Sequence, residues 1–235
     1  MSGIRINKFL SQAGFCSRRE ADKLIEENRV TINGKVPEVG TKVNQGDMVA
    51  VDGKVVSNKN VEKVYIALNK PVGIVCTTDS GVEKDNIVDF VNYHERIYPV
   101  GRLDKMSEGL ILMTNDGEIV NKMMRSRNNH GKEYIVTLNK PFDSNFIQNM
   151  SNGVPILDTI TKKCEVEALG KDTFRIVLTQ GLNRQIRRMS EYFGYRVKKL
   201  KRIRIMNIHL DLPVGKWRHL TEEELKELKK IINYK

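Results

Sequence analysis

Eight short apolar runs, most of them alternating with polar residues, occupy the stretch from Val64 to Met206, and five segments of helical period interrupt or follow them. That surplus of strands is the tightest constraint on the fold. A doubly wound sheet needs a crossover helix for nearly every strand, so this pattern predicts an α+β domain with a mixed, largely antiparallel sheet. Strands are expected at 64–68, 72–77, 97–101, 110–114, 133–138, 163–168, 174–179 and 197–206. Helices are expected at 86–92, 117–126, 143–151, 183–193 and 222–232. Met113, Met123 and Met124 read as core. The last helix reads as capped at Thr221, with Leu225, Leu228 and Ile231 buried.

Residues 1–60 follow a different pattern and read as a separate small domain. Ile6, Phe9, Leu10 and Ala13 recur at helical spacing until Gly14. Ser17 and Glu20 then form an S-x-x-E capping box ahead of a second helix that buries Ala21, Leu24 and Ile25. Val30 and Ile32 lead into Asn33-Gly34, a pair suited to a two-residue hairpin turn, and Val49, Val51 and Asp52-Gly53 repeat the pattern. The polar stretch 57–63 is the expected linker to a second domain at 64–235.

Forty Lys plus Arg against 29 Asp plus Glu give a formal charge of +11, which excludes acidic solvating tails and favours an anionic partner. The longest wholly apolar run, Leu110 to Met113, is far too short to span a bilayer, so no membrane association is expected. The start of the chain lacks an apolar signal core, which makes the cytoplasm the expected location. Cys16, Cys76 and Cys164 are widely separated, and the four histidines show no i,i+4 pairing. Neither a disulfide framework nor a metal site is expected.

Positive charge is concentrated in two places. Lys8, Arg18 and Arg19 stand at helix starts, where they oppose the helix dipole, so their sign suggests a use other than stability. Between Arg184 and Arg204 nine Lys plus Arg face one acid, Glu191, with Tyr192, Phe193 and Tyr195 interleaved. That composition suits contact with phosphates and bases together. On a helix from Leu182, the residues Ile186, Met189 and Phe193 would pack while Arg184, Arg187 and Arg188 would meet RNA on an adjacent face. Lys199 and Arg202 are expected to contribute to the salt dependence of that binding.

The segment "PVGRLDKMSEGLILMTNDG" (99–117) places Asp104 in a loop between Arg102 and Lys105, after one strand and before another. Nearby positive charge can hold a carboxylate ionised there, but an Asx turn or a surface ion pair accounts for the residues equally well. Asp104 and Asp116 flank a whole apolar strand, which argues against a shared metal.

The loop resembles the motif of pseudouridine synthases of the ribosomal small-subunit-synthase type, G-R-L-D-x-x-T/S-x-G-L followed by T-N-D-G, with Ser107 in the Thr/Ser place. That resemblance implies that Asp104 is the catalytic carboxylate. "ALNKPVGIV" (67–75) resembles the first motif, read as support for the Asp104 loop. "KEYIVTL" (132–138) resembles the segment that supplies an active-site tyrosine, which falls on Tyr134; taken alone, Tyr134 reads as an ordinary strand aromatic. "QGLNRQIRRM" (180–189) resembles the motif whose arginine pairs with the carboxylate and assigns that role to Arg187, while Leu200 falls on the apolar position that packs against the target base. "INKFLSQAGFCSRREADKLIEENRVTINGKVP" resembles an S4-type RNA-binding domain. The resemblance therefore spans nearly the whole chain, and within the family it is nearest the large-subunit pseudouridine synthase F type.

It implies isomerisation of a uridine in large-subunit ribosomal RNA, with a tRNA stem-loop as a second target; that reaction has no net redox change and needs no cofactor, and a monomer is expected. The implied RNA-contacting set is Arg102, Leu103, Lys105, Arg184, Gln185, Ile186, Arg188 and Leu200, with Lys8, Arg18, Arg19 and Lys35 from the S4-like domain. Uridine must lose its N1–C1′ bond, turn and rejoin through C5, so a charge stabiliser, a stacking surface and exclusion of water are required. A guanidinium suits the carboxylate because it stays protonated and matches it in shape. The rival reading is a non-catalytic, ribosome-associated S4-type RNA-binding protein.

Overall fold

A computed structural model describes residues 3–57, 62–79, 81–124 and 130–234. The chain divides into two compact units, Met1–Lys63 with Asn115–Gly117, and Val64–Thr114 with Glu118–Lys235. Residues 58–61 of the expected linker, and the end of the helix expected at 117–126, lie outside the described residues.

The first unit begins with β1 (Ile4–Arg5), α1 (Ile6–Gln12) and α2 (Arg18–Glu26). Strands β2 (Val30–Ile32), β3 (Lys42–Val43), β4 (Val49–Val51) and β5 (Lys54–Val55) follow. The capping box at α2 is complete, with the Ser17 side chain accepting from the Glu20 N–H and Glu20 reaching back to the Ser17 N–H. Asn33-Gly34 and Asp52-Gly53 both form left-handed two-residue turns. Across the first turn only Ile32 bridges to Lys35; the chain then leaves the sheet, and β2 pairs along its length with β4. Ile6, Leu10, Ala21, Ile25, Val30, Val49 and Val51 fill one small core.

The second unit starts with β6 (Tyr65–Lys70), α3 (Ile87–Val91), β7 (Tyr98–Pro99) and β8 (Glu108–Thr114). There follow α4 (Gly117–Met124), β9 (Lys132–Leu138), α5 (Ser144–Ser151), β10 (Pro155–Ile156), β11 (Thr159–Ile160), β12 (Glu165–Ala168) and β13 (Thr173–Leu178). The chain ends with α6 (Gln185–Tyr192), β14 (Val197–Ile205), β15 (Ile208–His209), β16 (Trp217–His219) and α7 (Glu222–Ile231). The main sheet runs β12-β13-β9-β14-β8-β6-β16, with β15 on β14 and β7 on β8. Among the described residues every pair in it is antiparallel except β14 with β8. The unit is therefore α+β with a mixed, largely antiparallel sheet.

The central strands β6 and β8 are buried on both faces, and for that reason their sequences are nearly unbroken apolar runs. Ile66, Leu68, Ile111 and Met113 pack with Phe146, Met150, Ile186 and Met189 from α5 and α6. Ala67, Leu110 and Leu112 point the other way and meet Ile119 and Met123 of α4 and Leu228 of α7.

Four expectations need correction. Residues 72–77 form no strand, because Pro71 lacks a donor and Gly73 is left-handed; Val75 alone bridges to Asn86. Of 97–101 only Tyr98 and Pro99 pair, and the left-handed Gly101 turns the chain away. Met124 is exposed, one position off the α4 stripe that buries Met123. Ile231 is likewise exposed, and Ile232 takes the buried place beyond Leu228.

Candidate active site

Asp104 sits in the loop between β7 and β8. Gly101 (φ 82°) lets the chain reverse, and the Ser107 N–H donates to the Asp104 carbonyl at 3.0 Å, closing a tight turn. The segment after β6 braces this loop from outside. The Gly73 N–H donates to the Lys105 carbonyl at 2.8 Å, the Leu103 N–H to Cys76 Sγ at 3.3 Å, and Lys105 Nζ lies 3.3 Å from Glu83 Oε2. Leu103 is buried while Arg102 and Lys105 are exposed, so one residue anchors the loop and its neighbours face solvent.

Arg187 comes from α6 and is only 8 % exposed. Its Nη1 donates to the Val197 carbonyl at 3.1 Å, and its Nη2 to the Met106 carbonyl at 2.9 Å and Ser107 Oγ at 3.2 Å. With those three oxygens holding the fork, Nε stands 3.7 Å from Asp104 Oδ2, and among the described residues it makes no hydrogen bond. The pair is thus an ion pair without a shared hydrogen bond, and the Asp104 side chain stays 37 % exposed. Burial pushes the Arg187 guanidinium below its usual range, and the Asp104 charge opposes that shift.

Arg187 therefore does not share an exposed face with Arg184 and Arg188, as its spacing suggests. Arg184 is left-handed (φ 50°) and stands before the first turn of α6, so the expected face does not begin there. Gln185 and Ile186 are buried too; Gln185 Oε1 accepts from the Leu182 N–H at 3.1 Å, and Ile186 belongs to the core. Arg188 folds back on Asn183.

The sheet assembles the rest. Strand register places Lys70 of β6 opposite Gly109 of β8, Gly109 beside Arg202 of β14, and Arg202 opposite Tyr134 of β9. Partners across a ladder share a face, so these four form one row. Tyr134 is buried in the same cluster as Leu103, Ile186 and Leu200. The Arg202 guanidinium carbon lies 6.0 Å from the centre of the Tyr134 ring. Gly109 (φ 110°) is required in this row, because a Cβ there would collide with the Arg202 backbone.

Sequence reasoning passed over Lys70 and the burial of Arg202. Lys70 is fully buried, with Nζ donating to the Pro71 and Ile74 carbonyls at 2.7 and 2.8 Å. Burial pushes its pKa down, the Asp104 charge opposes the shift, and Arg202 adds to it. Its position just before Pro71, inside the segment 67–75, is the signal for it in the sequence. Burial pushes the Cys76 thiol up, and the Cys164 thiol up to about 11, so both stay protonated at neutral pH.

Of the nine basic residues between 184 and 204, Arg187 and Arg202 are buried and Arg204 pairs with Glu133 at 2.6 Å. Arg202 is thereby removed from the salt-sensitive surface expected for it. Arg184, Arg196, Lys198 and Lys199 are exposed. In the first unit Arg19 and Lys35 are exposed, Lys8 is half-buried, and Arg18 donates to Asn7 Oδ1 at 3.2 Å. Among the described residues no group of three His, Cys, Asp or Glu could hold a metal ion, and no helix is long and apolar enough to cross a membrane.

A mixed sheet carrying a carboxylate paired with a buried guanidinium, in a chain that also holds a separate helix-and-hairpin unit with basic helix starts, defines an enzyme that brings its own RNA-binding unit. Residues 64–192 match the family described as RNA pseudouridylate synthase, and residues 4–49 match the S4 domain. The chain belongs to the RNA pseudouridine synthase family, in its branch with an N-terminal S4 domain. It is 56 % identical over 233 residues to the dual-specificity RNA pseudouridine synthase RluF of Escherichia coli (strain K12), covering 98 % of this chain and 80 % of that one. It is 34 % identical over 239 residues to the ribosomal large subunit pseudouridine synthase B of Bacillus subtilis (strain 168), covering 98 % and 97 %. A crystal structure of a pseudouridylate synthase superposes with a TM-score of 0.70 at 29 % identity, covering 96 % of this chain and 99 % of that one. The catalytic reading thus stands over the binding-only one.

Proposed function

We propose that this enzyme converts a uridine of large-subunit ribosomal RNA to pseudouridine, acting as a monomer in the cytoplasm, with a tRNA stem-loop of similar shape as a second substrate. The observation that carries the site assignment is the 3.7 Å approach of Arg187 Nε to Asp104 Oδ2 across residues far apart in sequence. A buried cation lies beside the carboxylate, and its fork is spent on other oxygens, which leaves Asp104 free to react. Tyr134 and Leu200 supply the flat and apolar surface against which a uracil turned out of its stack would rest. Exposed Arg184, Arg196, Lys198 and Lys199, together with Arg102, Lys105 and the basic residues of the first unit, hold the RNA backbone. The dual-specificity name of the Escherichia coli relative is the ground for a second RNA class.

Mapping pseudouridine in total RNA from cells lacking the protein, with and without wild type or Asp104→Asn, tests this reading. Wild type restores one or more large-subunit positions and Asp104→Asn restores none. Full restoration by the Asn variant would remove Asp104 from the chemistry, and modification confined to small-subunit RNA would refute the substrate.

A further inference from the structure

We propose that Arg202 is a catalytic residue that donates a hydrogen bond from its guanidinium to a carbonyl oxygen of the target uracil and stabilises the negative charge that gathers there. This rests on the pseudouridine synthase reading of the Asp104 site.

Arg202 is 2 % exposed, and Nε donates to the Leu110 carbonyl at 2.6 Å. Among the described residues Nη2 has no hydrogen-bond partner although it is buried. An arginine has five donors and always carries its charge, so a buried fork with a nitrogen unpaired is costly unless a ligand completes it. Among the described residues Arg202 makes no ion pair with a carboxylate, and Glu133, on the neighbouring strand, is held by Arg175 and Arg204. Burial pushes the pKa values of Lys70 and Lys132 down, and the Arg202 charge adds to both shifts. Arg202 faces the Tyr134 ring, and Tyr134 packs in one cluster with Leu103, the residue before Asp104, which ties Arg202 to the same site.

The Tyr134 ring beside Arg202 is the surface assigned to the uracil. Every route open to Asp104 sends electrons to the uracil oxygens. Attack on C1′ expels the N1–C1′ pair on to the ring, which leaves as an anion shared by O2 and O4. Removal of the C2′ proton by Asp104 makes a C1′=C2′ double bond and expels the same pair. Addition of Asp104 to C6 pushes the C5=C6 pair through C4 to O4. A fixed cation near those oxygens therefore acts on charge that appears in the transition state, and its loss should fall on kcat more than on KM.

The test measures single-turnover rates on substrate RNA carrying uridine, 2-thiouridine or 4-thiouridine at the target position, for the wild type, Arg202→Met and Arg202→Lys. Sulfur is a poor acceptor, so one thio substitution should slow the wild type. Arg202→Met should lose about 10²- to 10³-fold on uridine, the scale of a lost oxyanion donor, and its thio penalty should shrink to less than about twofold. A penalty equal in wild type and variants, or no penalty in the wild type at either position, overturns the proposal. Should Arg202→Met fail to fold, Arg202→Lys and the wild-type thio series still decide it. A wild type that forms no pseudouridine on any RNA would instead refute the function on which this rests.

Discussion

Arg187 and Arg188 are adjacent in sequence and opposite in fate. Arg187 is turned inward by three oxygen acceptors, two of them in the Asp104 turn, whereas Arg188 bonds to Asn183 near the surface. Ser107 is one of those acceptors and is itself buried, so with Asp104 as the proposed reacting group it is a positioning residue that acts through Arg187. Ser107→Ala should lower kcat by about tenfold with KM little changed and stability down by about 1 kcal/mol, while Ser107→Thr, which keeps the hydroxyl, should retain activity. Steady-state kinetics together with a thermal melt check both. Arg187→Lys should lose more activity than Ser107→Ala, because an ammonium cannot hold the Met106 and Val197 carbonyls and still face Asp104. Equal kinetics for Arg187→Lys and wild type would show that any positive charge suffices there.

At the scale of elements, β8 and β14 meet as the parallel pair of the sheet, and the contact depends on Gly109. Gly109→Ala adds a clash with backbone to a left-handed φ, and should cost about 3 kcal/mol or more or leave the protein insoluble; a melting temperature within a degree of wild type would contradict this. Strands β9, β13 and β14 are tied on their other face by Glu133, which accepts from Arg175 Nε at 2.5 Å and Arg204 Nε at 2.6 Å. Burial alone would raise the Glu133 pKa, but the two arginines outweigh it and hold it below its usual value of 4.5. A depressed carboxylate pKa contributes stability that is complete above the unfolded value and is lost as pH falls through the folded one. Acid unfolding below about pH 4.5 should therefore be shallower in Glu133→Gln than in wild type, while the variant is less stable at pH 7. Denaturant titrations at pH 4 and pH 7 measure both effects.

For the whole molecule, surface charge and not total charge governs RNA binding. Lys198→Ala with Lys199→Ala should lower the slope of log affinity against log salt by about 1.5 in magnitude, roughly one counterion per lost phosphate contact. Filter binding across a salt series reads this, and an unchanged slope would place the RNA elsewhere. The exclusion of Arg202 and Arg204 from that surface is a tertiary result, since a run of basic residues does not say which of them finds a buried partner.

Period and punctuation made much of the fold legible. The α2 capping box, the Asn33-Gly34 and Asp52-Gly53 turns, the helices α3 to α7 and the long strands are local, so neighbouring residues fix them. Residues 72–77 misread because apolar content alone cannot show that Pro71 and Gly73 deny the segment a ladder. The short pairs β10 with β11 and β15 with β14 have too few residues to display a period. Asp104 was legible by resemblance and ambiguous by its own chemistry, because a loop aspartate between two cations has many uses.

The sequence by itself determined the Asn33-Gly34 and Asp52-Gly53 turns, the course of the helices and long strands, and that a carboxylate stands in a basic loop, since each follows from residues close together along the chain. Tertiary structure alone decided that Arg187 approaches Asp104 and that Lys70, Gly109, Arg202 and Tyr134 share one row. Register across strands distant in sequence sets the row, the placing of α6 against the Asp104 turn sets the ion pair, and a one-residue slip of β6, β9 or β14 would send its member of the row to the opposite face.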